Sequence, residues 1–140
     1  MISLDAKLKL YILWPKDAKS LSKEPNAHNL ISTVVKLEYA NFTSLFTGDI
    51  DFEVEDRLLD ANLQAEVLKV AHHGSKFASS TKFLDLVNPK LAIISVGKNS
   101  YGHPHPDTLG RLSSLNIKIL RTDKDGTIEV VTDGEKWYTR

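Results

Sequence analysis

Asp49, His72 and His73 are the residues whose types and spacing best suit this chain for chemistry. The run Glu66-Val67-Leu68-Lys69-Val70-Ala71 stops at His72-His73-Gly74-Ser75, and 23 residues before His72 another strand-like run, Phe42-Thr43-Ser44-Leu45-Phe46-Thr47-Gly48, stops at Asp49. Two strand ends thus present a carboxylate and imidazoles, donor types that Zn and Mn accept. Paired histidines cost desolvation when buried without partners, so they read as a site. One imidazole would ligate metal, while its neighbour and Ser75 meet a substrate phosphate or hold the ligand in place. Asp49 read alone fits a simple Gly-Asp turn. Beside the histidines it becomes a carboxylate that bridges or terminally ligates a metal, with Gly48 permitting close backbone approach.

Three further segments carry polar chemistry. In Gly102-His103-Pro104-His105-Pro106 the histidines stand at i and i+2, which share a face when the chain is extended, and the prolines favour that extension. The loop reads equally as a stiff connection capping the next helix. Thr122-Asp123-Lys124-Asp125-Gly126 has part of a calcium-loop pattern but lacks the downstream glutamate, and reads as a charged hairpin turn. His28, between Asn26 and Asn29, reads as an exposed loop residue with a weaker claim to the site.

Composition bounds what these residues can serve. A chain of 140 residues has room for one domain. Lys plus Arg number 18 and Asp plus Glu 18, so no global field draws the chain to nucleic acid or to an anionic membrane, and any such role must be local or belong to another region. The absence of cysteine excludes disulfide frameworks, thiolate zinc sites and cysteine nucleophiles. No apolar run approaches the roughly 18 residues of a membrane span, and residues 1–5 lack the pattern of a secretory leader, so the expectation is a soluble, untargeted chain.

The elements that must position the site follow from periodicity. Residues 7–14 alternate before Pro15 and predict a half-buried strand, followed by a surface loop over 15–29. Strands are expected over 30–39 and 42–48, joined by a hairpin turn at Ala40-Asn41. A helix is expected over 51–62, then a strand over 65–70, a helix over 79–87 and a strand over 90–96. Asp107 or Thr108 is expected to cap a helix running to residue 115, before a strand over 117–121. Asp125-Gly126 and Asp133-Gly134 suggest hairpin turns in the tail. Alternation of strands and helices after residue 50 argues for a layered sheet flanked by antiparallel hairpins, with ligands at the strand ends.

Residues 45–50, 67–75, 89–106 and Arg121-Thr122-Asp123 with Gly126 together resemble the C-terminal part of the metallo-β-lactamase-like domain of ComEC-type competence proteins, which internalise DNA. The resemblance runs from about residue 11 to residue 128. It implies an α+β fold, the C-terminal half of an αββα sandwich with a mixed sheet and flanking helices, and Zn or Mn at one edge. It implies metal roles for Asp49 and the His72-His73 pair, catalysis involving Asp49 and His73, and substrate contacts from Ser75, Lys76, His103 and His105. The family's histidine-x-histidine-x-aspartate-histidine motif occurs nowhere in these residues. The chain is therefore expected to be part of a phosphodiesterase or nuclease acting on DNA, inactive in isolation, with half a metal site. Its expected partners are DNA through the parent, the N-terminal half of the domain or a membrane-channel region, and further copies through an exposed sheet face. The parent is expected in the bacterial inner membrane with this domain outside the cytoplasm. A catalytically inactive binding or assembly module and half of a small-substrate phosphodiesterase are the alternatives.

Overall fold

The computed structural model describes residues 2–3, 7–16 and 31–140. The expected surface loop over 15–29, with His28, lies almost wholly outside them. Seven strands form one sheet in sequence order: β1 (Ile2–Ser3), β2 (Leu8–Trp14), β3 (Val34–Tyr39), β4 (Phe42–Phe46), β5 (Val67–Lys69), β6 (Leu91–Ile94) and β7 (Lys118–Arg121). Neighbours from β1 to β4 are antiparallel and those from β4 to β7 parallel, so the fold is α+β with a mixed sheet. Parallel neighbours need crossovers. These carry α1 (Phe52–Arg57), α2 (Thr81–Val87) and α3 (Pro106–Ser114). A single helical turn, α4 (Thr122–Asp125), follows β7, and β8 (Val130–Thr132) pairs with β9 (Trp137–Thr139) as a separate hairpin.

Because strand side chains alternate between faces, each strand supplies two cores. Leu45, Leu68, Ala92 and Ile94 point to the face that α1, α2 and α3 cover with Val54, Leu58, Phe83, Leu84, Val87 and Leu112. Each large side chain buried there contributes about 1.5–3 kcal/mol. On the opposite face Phe42, Val67 and Leu91 make a smaller cluster with Leu37, Ile93, Leu120, Val130 and Trp137. The Phe42 and Trp137 rings meet at 6.4 Å, which seats the β8–β9 hairpin on the sheet. Beside it lies a cleft of about 620 Å³ whose lining includes Leu8, Leu37, Phe42, Phe46, Lys69 and Val130.

Several expectations need correction. The helix expected over 51–62 ends at Arg57, because Leu58 closes a turn on Glu55 and Ala61 a further one on Leu58. Its start is sharp, since the Asp51 carboxylate accepts from the amides of Glu53 and Val54. Asp125-Gly126 is not a hairpin turn: residues 122–125 form α4, and β7 pairs with β6 rather than with β8. The cap of α3 is neither Asp107 nor Thr108. His105 Nδ1 accepts from the Asp107 amide, and Pro106 takes the first helical turn, where a missing N–H costs nothing.

Candidate functional site

All four parallel strands end at one edge of the sheet, the edge where open sheets of this kind bind ligands. Asp49 follows β4, His72 and His73 follow β5, Ser95 follows β6 and Thr122 follows β7. Two bonds fasten the first two strand ends together: Thr47 Oγ1 donates to the Lys69 carbonyl at 2.6 Å, and the His72 amide donates to the Gly48 carbonyl at 3.0 Å. Thr122 Oγ1 fastens the others, accepting from the Val96 amide and donating to its carbonyl, both at 2.7 Å.

Residues Ala71–Gly74 form a 3-10 turn in which His72 (φ 49°) and His73 (φ 54°) both adopt left-handed conformations. Non-glycine residues seldom do so, and such strain gathers at functional sites. The turn is locked from behind. Gly74 packs against Pro104 so closely that a Cβ on it would lie 2.6 Å from Pro104 Cβ, and its carbonyl accepts from the His105 amide at 2.8 Å.

This backbone sends the two imidazoles to different places. His73 Nδ1 lies 2.6 Å from the Ser95 carbonyl, and since a carbonyl only accepts, Nδ1 carries the proton. Its Nε2 is left facing Asp49 Oδ1 at 4.0 Å. Both side chains of the pair are about half exposed, 50% and 51%, so solvent and ligands reach them. His72 instead meets His103 edge-on at 5.7 Å between ring centroids.

The remaining expected site residues are spread more widely. Ser75 is buried; its hydroxyl accepts from the Phe77 amide and its carbonyl takes the Thr108 hydroxyl at 2.7 Å, so it serves the turn rather than facing solvent. Lys76 is half exposed and lies 3.8 Å from Asp107. His103 and His105 do not act as a pair, because His105 is committed to capping α3 while His103 packs on His72. Burial, followed by the nearby His72, His73 and His105, holds the His103 pKa below that of an ordinary imidazole, favouring the neutral ring. Its Nδ1 is buried with no partner.

Three residues escaped the sequence reading. The Ser95 carbonyl orients His73, and a main-chain group leaves no side-chain signature. Lys69 lines the cleft on the open face of the sheet, its ammonium donating to the Val70 carbonyl at 2.9 Å. Burial lowers its pKa, and Asp49 opposes the shift. Alternation with Val67 would have placed it on that face. Tyr101 lies in a loop beside the histidines and is 82% exposed.

The donor set suits half of a metal centre. His73 Nε2 with its proton held on Nδ1 by a carbonyl is the arrangement usual for a ligating histidine, and Asp49 supplies an oxygen 4.0 Å away, wider than the roughly 3.3–3.4 Å between two donors of one tetrahedral metal, so the pair must close by about half an ångström to share an ion. Among the described residues no group of three or more His, Cys, Asp or Glu could hold an ion. Catalytic zinc takes three protein ligands and a water, so the pair does not form a catalytic centre within the described residues. None of their helices is long and apolar enough to cross a membrane.

No family model matches the chain. It is similar to ComE operon protein 3 of Bacillus subtilis, 38% identical over 125 residues, covering 87% of this chain and 16% of that protein. It is similar to Competence protein ComA of Neisseria gonorrhoeae, 37% identical over 102 residues, covering 70% of the chain and 15% of the relative. Recombination protein 2 of Haemophilus influenzae is 31% identical over 124 residues, covering 88% of the chain and 15% of the relative. The chain thus spans about one-sixth of the length of these curated relatives.

Proposed function

We propose that this chain is one segment of a ComEC-type competence protein and carries one side of a metal-dependent phosphodiesterase site that acts on DNA during uptake. The similarity to proteins named for competence supports the parent's role. The single observation that supports the chemistry is the pairing of Asp49 with His73, whose Nδ1 proton is committed to the Ser95 carbonyl so that Nε2 faces the carboxylate.

In this reading Asp49 and His73 are donors to a metal whose other ligands lie outside the described residues. The metal would supply a polarised phosphoryl oxygen and an activated water. The part of this chain is to fix the tautomer of His73 and to hold Asp49 against it through the Thr47 and Gly48 bonds. His72 supports the turn and the His103 ring rather than the metal. The sheet face beside the β8–β9 hairpin, with its apolar cleft, is where the rest of an αββα sandwich would pack.

The test is hydrolysis of a simple phosphodiester by the full-length parent in the presence of Mn. Asp49→Ala and His73→Ala are each expected to lower the rate at least about 100-fold, and His72→Ala less. Undiminished hydrolysis by full-length Asp49→Ala sinks the reading. The same cleft supports a second reading, an inactive assembly module, which predicts that the histidine resonances of this chain do not respond to Zn or Mn.

A further inference from the structure

Tyr101 stands at the end of a column of rings. His72 meets His103 at 5.7 Å edge-on, and His103 meets Tyr101 at 6.1 Å with only 26° between the planes. Tyr101 is nevertheless 82% exposed, so His103 lies beside its ring and most of the ring surface is open to solvent. An aromatic side chain ordinarily gains by folding its ring onto its own protein.

The exposure does not come from a slack loop. Asn99 ties the segment together: its Nδ2 donates to the carbonyls of Gly97 at 2.9 Å and His103 at 2.8 Å, and its Oδ1 accepts from the amides of Tyr101 at 3.1 Å and His103 at 3.0 Å. One side chain thereby fixes the backbone at both Tyr101 and His103, whose rings lie near-parallel. The loop borders a pocket of about 390 Å³ whose lining includes His73, Lys98, Asn99, Tyr101 and His103, a volume within the range of small-ligand sites. The same pocket therefore joins a free aromatic face, a lysine and the candidate catalytic histidine.

We infer that Tyr101 is a stacking platform for a nucleobase of an unpaired nucleic-acid strand whose backbone runs past Lys98 toward His73 and Asp49. The inference rests on the phosphodiesterase reading above and names how that site would hold its substrate. A base stacked on Tyr101 adds a third plane to the near-parallel His103–Tyr101 pair. Every base has a π face, so such a platform grips an unpaired strand without reading its sequence. It does not grip a duplex, whose bases are stacked on one another.

The test uses the chain as it stands and fluorescence anisotropy of a labelled oligothymidylate, an oligouridylate, and an abasic oligonucleotide of the same length and charge. Wild type is expected to bind both base-bearing strands more tightly than the abasic one. Tyr101→Ala is expected to weaken oligothymidylate binding about 5- to 150-fold, and Tyr101→Phe and Tyr101→Trp to retain it. Equal binding of abasic and base-bearing strands, unchanged binding by Tyr101→Ala, or no binding by wild type at millimolar protein each overturns the platform. Oligouridylate binding as tightly as oligothymidylate supports a platform blind to the sugar. A Tyr101-dependent loss alongside failure of the Asp49→Ala hydrolysis test leaves the platform standing and removes the catalytic reading, and the converse pair of results removes the platform alone.

Discussion

Replacing Gly74 by alanine sets a methyl group against Pro104. The added Cβ lies 2.6 Å from Pro104 Cβ and 3.1 Å from Pro104 Cα, and Gly74 holds φ at 82°. Non-bonded carbons rest about 3.5–4.0 Å apart, so the histidine turn or the segment around Pro104 must shift by about an ångström. Two costs add. Placing a Cβ in the left-handed region costs about 1–2 kcal/mol, and an extra methyl in a packed contact costs about 1–3 kcal/mol. The expected loss is roughly 2–5 kcal/mol. Gly102 supplies the control, because it has φ of 75° and no atom within 4 Å of its added Cβ, so Gly102→Ala carries the first cost alone. Urea unfolding of both variants, followed by circular dichroism, should show Gly74→Ala the less stable by about 1–3 kcal/mol. Losses equal to within about 0.5 kcal/mol refute the argument that Pro104 braces the turn from behind, since a difference that small is below the cost assigned to the contact.

Two further predictions concern the loop that leads from the histidine turn into α2. Arg111 donates to the carbonyls of Ser79 at 2.7 Å, Ala78 at 2.8 Å and Lys76 at 3.0 Å, and to Thr108 Oγ1 at 2.9 Å, while its guanidinium lies 5.4 Å from the centre of the Phe52 ring. A lysine cannot reproduce that fork, so Arg111→Lys should cost about 1.5–3 kcal/mol in equilibrium unfolding, and a loss under about 0.5 kcal/mol counts against the network. Glu55 is fully buried and accepts from the amides of Ser79 and Ser80; burial is the main cause raising its pKa above 4.5, with the Ser80, Ser79 and Arg111 interactions opposing. As pH rises the unfolded chain loses this proton first, so the stability Glu55 contributes is full below about pH 4.5 and is lost as pH rises through the folded value. The unfolding free energy of wild type minus that of Glu55→Gln should therefore fall with rising pH above 4.5 and then level off. A difference flat from pH 4 to 8 contradicts this.

The strands were the legible part of the fold because period-2 alternation survives in β4, where Leu45 faces the helices while Phe42, Ser44 and Phe46 face the other way. Helix ends were less so. Asp51 announced the start of α1, but its stop at Arg57 depends on turns closed through Glu55 and Leu58. At α3 a histidine took the capping role ordinarily assigned to aspartate or threonine, because Pro106 occupies the first helical turn directly after it. At the candidate site the approach of Asp49 to His73 was legible from strand ends alone. The separate fates of His72 and His73 were not, since they depend on the Ser95 carbonyl and on two left-handed residues in succession. Nor does residue type distinguish Ser75 facing a ligand from Ser75 buried under Thr108.

The register of the sheet separates the local pairings at this edge from those that wait on long crossovers. Tyr39 pairs with Phe42 across a two-residue turn, whereas the parallel ladders begin at Ser44 with Val67, Val67 with Leu91 and Leu91 with Lys118, separations of 23, 24 and 27 residues. Closing a loop of that length costs about 2 kcal/mol more than closing the hairpin, and long-range parallel pairing is intrinsically slow. The β3–β4 hairpin is thus the local seed, and each later strand joins only after its own crossover closes. Asp49 gains His73 when β5 docks, and His73 gains the Ser95 carbonyl only when β6 docks beside it. An incompletely folded chain can hold the seed and even bring His73 to Asp49 while still lacking the oriented imidazole, which waits for β6 and its Ser95 carbonyl.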